Sequence, residues 1–493
     1  MRRRDISKAL FATAAGSTVI AQRAQAQACT TPCYAQTAAE IAASVTPVNY
    51  AYVPGHVLRY GTNTTPGTTN MTAAIQAAIN QSAQSGGSPA YAPAGTYLVN
   101  STLVLPQYGS ITGDGYASRI SFTGTGAFLS ATSPTEVGWS GSYVKKLNIT
   151  SSSGTDCIVL NNIADVDIDE NQINGFYNSQ IHLTGTLGQG TGDIRITGNL
   201  LFNSNGNGIQ LDDVNNVNAI AIHGNHIYGA AGYGIYDVVS GKGISILGNT
   251  IEGGRGAAQV YFNNASGVNF AGNYIESVAG TPAIICSDFQ PCFAISITGN
   301  FIQGDVAATS AIILGNQAGG IAYATVIQGN EISGGYTNAI FANSASNCQI
   351  GPNYCTGSIV HLVTTLGQVF GVQEINTNGL VNHVGGTAAA VNEPVYSASI
   401  TPNAALGKYQ AIEVTNTSAF TINSATNIVQ GSELVIEIYN ASGGTMGAIT
   451  WASNYKMAGA FTNPAANYLR VISFYYDGAN FREVSRTAAD MPA

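Results

Sequence analysis

A short segment that keeps returning, ending each time in Gly-Asn, constrains this chain more than any other feature. Ile194-Arg195-Ile196-Thr197-Gly198-Asn199 is followed by Ile220-Ala221-Ile222-His223-Gly224-Asn225 and Ile244-Ser245-Ile246-Leu247-Gly248-Asn249. Val268-Asn269-Phe270-Ala271-Gly272-Asn273, Ile295-Ser296-Ile297-Thr298-Gly299-Asn300 and Thr325-Val326-Ile327-Gln328-Gly329-Asn330 continue the series. Degenerate copies end at Asn171 and Asn353, and the steps from Asn to Asn are 28, 26, 24, 24, 27, 30 and 23 residues. Self-similarity at such a period marks a solenoid. Each unit also holds a second apolar strand, as in Gly208-Ile209-Gln210-Leu211, Gly234-Ile235-Tyr236-Asp237, Ala283-Ile284-Ile285-Cys286 and Ala311-Ile312-Ile313-Leu314. Short strands with turns between them predict an all-β fold, a right-handed parallel β-helix whose inward Ile residues stack into one core. Gly and Asn recur at the corner because a left-handed backbone costs them little, and stacked Asn side chains can bond along the ladder. The Leu-x-x-Leu-x-Leu pattern of a leucine-rich repeat is absent.

Composition agrees with stacked strands. Only 9% of the 493 residues are charged while 45% are hydrophobic and 58 are Gly, too apolar for disorder and too charge-poor for an ordinary helical enzyme. Met71, Ala74, Ile75, Ala78 and Ile79 mark one face of a helix, with Asn70 or Thr69 as its cap, that would cover the open end of the solenoid.

The N-terminus reads as an address. Arg3-Arg4-Asp5-Ile6-Ser7-Lys8 resembles the twin-arginine export motif, followed by an apolar run from Ala9 to Ala21 and Ala-x-Ala steps at 24–26 and 26–28. The run is too short to span a membrane. Residues 1–28 are therefore expected to be a signal peptide, and the mature protein periplasmic or secreted, with no membrane association after cleavage. Loss of the five basic leader residues and Asp5 takes the net charge from −9 to −13, and no Lys or Arg occurs between Arg255 and Lys408. Nucleic acid is a poor partner for such a chain. The seven Cys suit an oxidising compartment: Cys29 with Cys33, Cys286 with Cys292 and Cys348 with Cys355 are spaced to close small loops, leaving Cys157 over.

After the helix, Pro93-Ala94-Gly95-Thr96-Tyr97 and Gly113-Asp114-Gly115 open the coils. This start resembles the pectate-lyase-like β-helix superfamily, which includes bacterial polygalacturonase-like proteins and many phage tailspikes. There a capping helix precedes a Pro-x-Gly-x-Tyr strand and a Gly-Asp-Gly turn. The resemblance is close over residues 58–122 and architectural to about 385. It implies a polysaccharide ligand. The acidic run usual before the helix is replaced by Thr64-Thr65-Pro66-Gly67-Thr68-Thr69-Asn70, which removes any metal or catalytic role for that loop.

Residues 29–57 read as a linker and 58–385 as the β-helix. Residues 386–493 read as a separate antiparallel β-sandwich or barrel, because the repeat stops and segments such as Ser432–Tyr439 and Leu469–Tyr476 alternate at period two. Asp477-Gly478 turns a hairpin into Phe481–Val484. This part resembles the β-structured tips of some phage tailspikes and tail fibres, which implies carbohydrate contact or homotrimerisation, with a plain end-cap as the alternative.

Chemistry is expected where coils align outward side chains, roughly 4.8 Å apart from one coil to the next. The position three after each repeat Asn carries Tyr228, Glu252, Glu276 and Gln303 in succession, with Tyr274 in the neighbouring column and Arg255 after Glu252. Glu252 and Glu276 form a carboxylate pair of the kind glycosidases use, and the flanking aromatics could stack on sugar rings. Asp212-Asp213, with Asp237 one coil later, is a second acidic cluster; turn-forming or Ca²⁺-binding aspartates are the plainer account of it. Val159, His182, Gln210, Tyr236 and Tyr261 form another outward column, a second sugar platform. The polygalacturonase-type Gly-His-Gly and Asn-Thr-Asp elements are missing, and Gly154-Thr155-Asp156-Cys157-Ile158 departs from its Asp-Asp-Cys-Ile turn.

Three functions compete: a glycoside hydrolase using one of these carboxylate pairs, a polysaccharide lyase, and a non-catalytic polysaccharide-binding or tailspike-like protein. A lyase would need positive charge for a uronate carboxylate, here limited to Lys242, Arg255 and a bound Ca²⁺. No other cofactor is expected. Scarcity of basic residues favours the hydrolase.

Overall fold

The computed structural model describes residues 33–492, apart from 186–189, 213–216, 239–240, 279, 305–309, 318, 356–357, 362–372, 375–380, 383–390, 405 and 429. The expected signal peptide, residues 1–28, together with Cys29 and Asp213, thus lies outside the described residues. The chain divides into two compact units, Met1–Thr250 and Ile251–Ala493.

The first unit is a parallel β-helix built in the register the repeat predicts. Ile158, Ile181, Ile209 and Ile235 stack on one wall through the strands Asp156–Asp169, Ser179–Thr184, Asn207–Leu211 and Ile235–Asp237. Ile168, Ile196, Ile222 and Ile246 form a second wall, and Ile149, Ile173, Leu201 and Ile227 a third. All are essentially inaccessible to solvent, and each such side chain withdrawn from water favours folding by about 1.5–3 kcal/mol. Corner residues Gly198, Gly224 and Gly248 adopt φ of 63°, 62° and 63°, the left-handed conformation the motif requires.

Buried Asn residues bind each coil to the next. Asn199 Oδ1 accepts from the backbone N–H and Nδ2 of Asn171 at 3.0 and 3.1 Å, and Asn225 Oδ1 does the same for Asn199 at 2.9 and 3.0 Å. Asn225 in turn donates to Asn249. The helix Thr72–Ser82 buries Met71, Ala74, Ile75, Ala78 and Ile79 as its spacing predicts, and Asn70 Oδ1 accepts from the Thr72 N–H at 3.0 Å. Residues 33–57, expected as a linker, are structured. The helix Ala38–Ala42 starts with a capping box, and its Glu40 makes a fully buried ion pair with Arg59 at 2.5 Å.

The second unit repeats the pattern. Ile284, Ile312 and Ile340 share a wall, as do Ile275, Ile302 and Ile332, and Asn273, Asn300, Asn330 and Asn353 form a second buried ladder. Its C-terminal strands are mixed in direction. Glu433–Asn440 runs antiparallel to Tyr468–Tyr476, which pairs antiparallel with Phe481–Arg486 through the expected Asp477-Gly478 hairpin. Tyr409–Val414 pairs parallel with Glu433–Asn440, and Ser399–Ile400, Phe420–Ile422 and Ile449–Trp451 form a separate parallel sheet. Period-two alternation reports which face is buried but is silent on strand direction. Leu434, Ile436, Ile438, Phe420, Phe474 and Phe481 centre its core.

Cys33 is disulfide-bonded, whereas Cys157, Cys286, Cys292, Cys348 and Cys355 are free thiols. The loop-closing pairs expected at 286/292 and 348/355 are therefore not formed. Cys286 occupies the inward column between Phe262 and Leu314, so it packs as a small apolar side chain.

Candidate functional site

The register that stacks Ile158, Ile181 and Ile209 inward sends Val159, His182, Gln210 and Tyr236 outward in a single column. His182 sits midway along Ser179–Thr184, and two carboxylates close on it from adjacent coils. Asp156, at the start of its strand, places Oδ1 3.3 Å from His182 Nδ1, and Asp212, just past Leu211, places Oδ1 2.8 Å from Nε2. Side-chain exposure separates their roles: 12% for Asp156, 14% for His182 and 28% for Asp212. Asp212 is the member that meets solvent.

Supporting contacts fix the group. Asp156 Oδ1 accepts from Ser179 Oγ and Asn178 Nδ2, each at 2.7 Å. Asp212 Oδ2 accepts from Gln210 Nε2 at 2.9 Å, and Gln210 Oε1 accepts from Asn207 Nδ2 at 2.8 Å. Asp212 Oδ1 and His182 Nε2 touch as an ion pair, but the ring N–H is out of line for a hydrogen bond to that oxygen. Asn207 Oδ1 also accepts the Tyr233 N–H at 2.9 Å. The Tyr233 ring lies on Tyr236 with centroids 4.3 Å apart and planes within 6°.

Burial alone would favour neutral imidazole at His182, but the close contacts with Asp156 and Asp212 and their charges outweigh it and raise its pKa to about 9. Burial would raise Asp156 and Asp212 as well, yet the contact with His182 holds both below the ordinary carboxylate range. At neutral pH the group is an imidazolium between two carboxylates, with net charge −1.

The other expected residues are only partly gathered. Asp237 is not beside Asp212. It stands in the inward column of Leu183 and Leu211, is fully buried, and accepts from the Gly241 N–H at 3.2 Å. Tyr261 is no open platform either: it is 5% exposed and donates its hydroxyl to Asp288 at 2.9 Å. Tyr236 is half-buried in the His182 column. Tyr228 is exposed, edge-on to His226 at 6.4 Å. In the second unit, Tyr274 donates to Glu276 at 2.7 Å, and this bond, with burial and the charges of Glu276 and Glu252, pushes its phenol up to about 12. The two glutamates thus flank one tyrosine, which stacks on Phe301 at 5.6 Å, while Gln303 pairs in register with Glu276. Arg255 is exposed.

Sequence reasoning placed His182 in its column but missed its partners. Asp156, His182 and Asp212 are 26 and 30 residues apart, within the spread of the repeat itself. In a chain this poor in charge, ionisable residues spaced by one coil were the available signal. Among the described residues, no group of three or more His, Cys, Asp or Glu is placed to hold a metal ion, and no helix is long and apolar enough to cross a membrane.

No curated protein matches the sequence. Among solved structures, the chain is similar to the A-module of mannuronan C-5 epimerase AlgE6 of Azotobacter vinelandii (16% identity, 65% of this chain and 99% of that chain covered, TM-score 0.45). It is also similar to DFA-IIIase of Arthrobacter chlorophenolicus A6 (12%, 64% and 92%, TM-score 0.47) and to PfbA, a surface adhesin of Streptococcus pneumoniae (13%, 87% and 99%, TM-score 0.42). Residues 56–259 match the family model described as rhamnogalacturonase A/epimerase, pectate lyase-like.

Proposed function

We propose that this protein is an exported glycoside hydrolase that holds a polysaccharide along the outward His182 column and cleaves it at Asp212. The observation that carries the reading is the clamp of His182 between Asp156 and Asp212, beside stacked tyrosines on the same face. Asp212 is ionised and partly open to solvent, as a carboxylate must be to stabilise positive charge at an anomeric carbon or to activate water. His182 positions that carboxylate and supplies the proton held in the group. Asp156, buried and fixed by Ser179 and Asn178, keeps the ring in place. Tyr236 lies two coils from His182 in the same column, about 10 Å away. A glycan lying along the column therefore spans both. The twin-arginine leader and the disulfide-bonded Cys33 support export to the periplasm or beyond.

The test is incubation of the purified mature protein with a polysaccharide panel, reading reducing ends and unsaturated products separately. Reducing ends without unsaturation are expected, abolished by Asp212→Asn with binding retained. Unsaturated products would mean a lyase, and binding without cleavage would remove the enzymatic reading. Glu276→Gln should leave cleavage intact; its loss there, with Asp212→Asn active, would move the chemistry to the Glu252–Glu276 pair.

A further inference from the structure

Resting on the reading that the Asp212 face takes a polysaccharide, we propose that its substrate is an uncharged polysaccharide and not a polyuronate. The groups this face offers are carboxylates, amides and hydroxyls. Asp212 and Asp156 are acceptors, Gln210 and Asn207 are already linked to Asp212 in one chain of hydrogen bonds, and Tyr236 presents an aromatic ring. A sugar hydroxyl can donate to such acceptors, and the apolar C–H face of a neutral ring can lie against tyrosine. A uronate carboxylate has no counterpart here. Among the described residues of this column, the one cation, His182, already has a carboxylate at each ring nitrogen.

Basic residues on another wall of the same unit are committed in the same way. Lys145 lies 3.1 Å from Asp167 and 3.9 Å from Asp169, Arg195 lies 2.5 Å from Asp167, and Lys146 lies 3.3 Å from Glu170. Between Arg195 and Lys408 the sequence holds only Lys242 and Arg255. A carboxylate brought to about 5 Å from Asp212 would be repelled by roughly 1 kcal/mol at a water-like dielectric constant and roughly 3 kcal/mol at an effective value near 20. In a polyuronate every sugar repeats that repulsion against a chain whose net charge is already −9.

Affinity electrophoresis of the mature protein tests this, with xylan, arabinan, galactan, glucomannan or inulin in one set of gels. Polygalacturonate, rhamnogalacturonan and alginate form the other set, each gel run at low and high salt. At least one neutral polymer should retard the protein with an apparent Kd at least about tenfold below that for any uronate polymer, with little salt dependence. Asp212→Asn should narrow that gap by improving retention on polygalacturonate, an effect that a residue supporting only the fold would not give. Retention on a uronate polymer equal to or tighter than on every neutral one overturns the inference and leaves the polysaccharide reading standing. Retention on neither set overturns both.

Discussion

At the scale of single residues, one proton organises the candidate site, and it makes the stability of the fold depend on pH in a definite direction. His182 titrates near 6.5 when unfolded and about 9 in the folded protein. A raised pKa stabilises the fold fully below 6.5, and that contribution disappears as the pH climbs through 9. Shifts of this size are worth up to roughly 3 kcal/mol. Asp156 and Asp212 act in the opposite sense: their depressed pKa values stabilise the fold above the ordinary carboxylate range and cease to do so in acid. Thermal unfolding of wild type should therefore weaken between pH 6.5 and 9, while His182→Gln should be less stable at pH 6 and nearly flat across that interval. A wild-type curve as flat as the variant's would mean that the clamp is not an ion pair in solution. The buried Asn ladder makes a second residue-scale prediction. Asn225→Ala orphans the N–H of Asn199 and leaves its Nδ2 with only the Ile168 carbonyl, at a cost of about 2 kcal/mol or more. Asn225→Asp should cost still more, because a carboxylate would face the Ile196 carbonyl and Asn249 Oδ1, which now accept from Asn225 Nδ2. A lowered melting temperature in both variants, larger for Asp, is the expected result. This ladder was legible in the sequence, since Asn recurs in every unit. The His182 clamp was not, and Asp212 and Asp237 show why. Both follow a Gly-Ile strand, but Asp237 pairs with Leu211 while Asp212 lies one residue beyond it, and a one-residue offset exchanges inside for outside.

At the scale of elements, corners and strands differ in how plainly the sequence announces them. Gly224 shows the corner constraint without interference from packing: an added Cβ would meet nothing within 4 Å, yet φ is +62°. Gly224→Ala should therefore cost about 1 kcal/mol from backbone strain alone, and Gly224→Asn less, since Asn tolerates that region. Equal losses of melting temperature in the two variants would place the cost in packing and not in φ. The degenerate copy before Asn171 has Glu170 at φ 54°, so the corner persists even where its Gly is lost. Strand direction in residues 391–492 was the less visible property. Alternation marked Ile436 and Phe474 as inward, which they are, and the Asp477-Gly478 turn closes with Asp477 Oδ1 accepting from the Ala479 and Asn480 N–H groups at 3.0 and 2.7 Å. The parallel partner Tyr409–Val414 comes from earlier in the chain, with no local turn to announce it.

At the scale of the whole molecule, the same repeat that fixes the fold also settles the state of its thiols. Spacing alone suggested that Cys286 with Cys292 and Cys348 with Cys355 close loops, as befits an exported protein. In a β-helix, however, a position in an inward column is a core position first, and Cys286, Cys292, Cys348 and Cys157 are each at most 1% exposed. Burial pushes the Cys157 and Cys286 thiols well up and raises that of Cys348, so little thiolate is present to react or to oxidise. Cys355, half-buried, is pushed up to about 11 by the same cause. An oxidising compartment can therefore leave these five thiols reduced without any reductant, because exposure, and not redox poise, controls their chemistry. A thiol-reactive chromophore should label almost nothing in the folded protein and about five groups per chain once guanidinium unfolds it. Labelling of a single group after unfolding would show that two short-range disulfides had formed. Labelling in the folded state that tracks the loss of the Asn225 bonds in Asn225→Ala would show instead that opening of the coils, and not global unfolding, is what exposes the core.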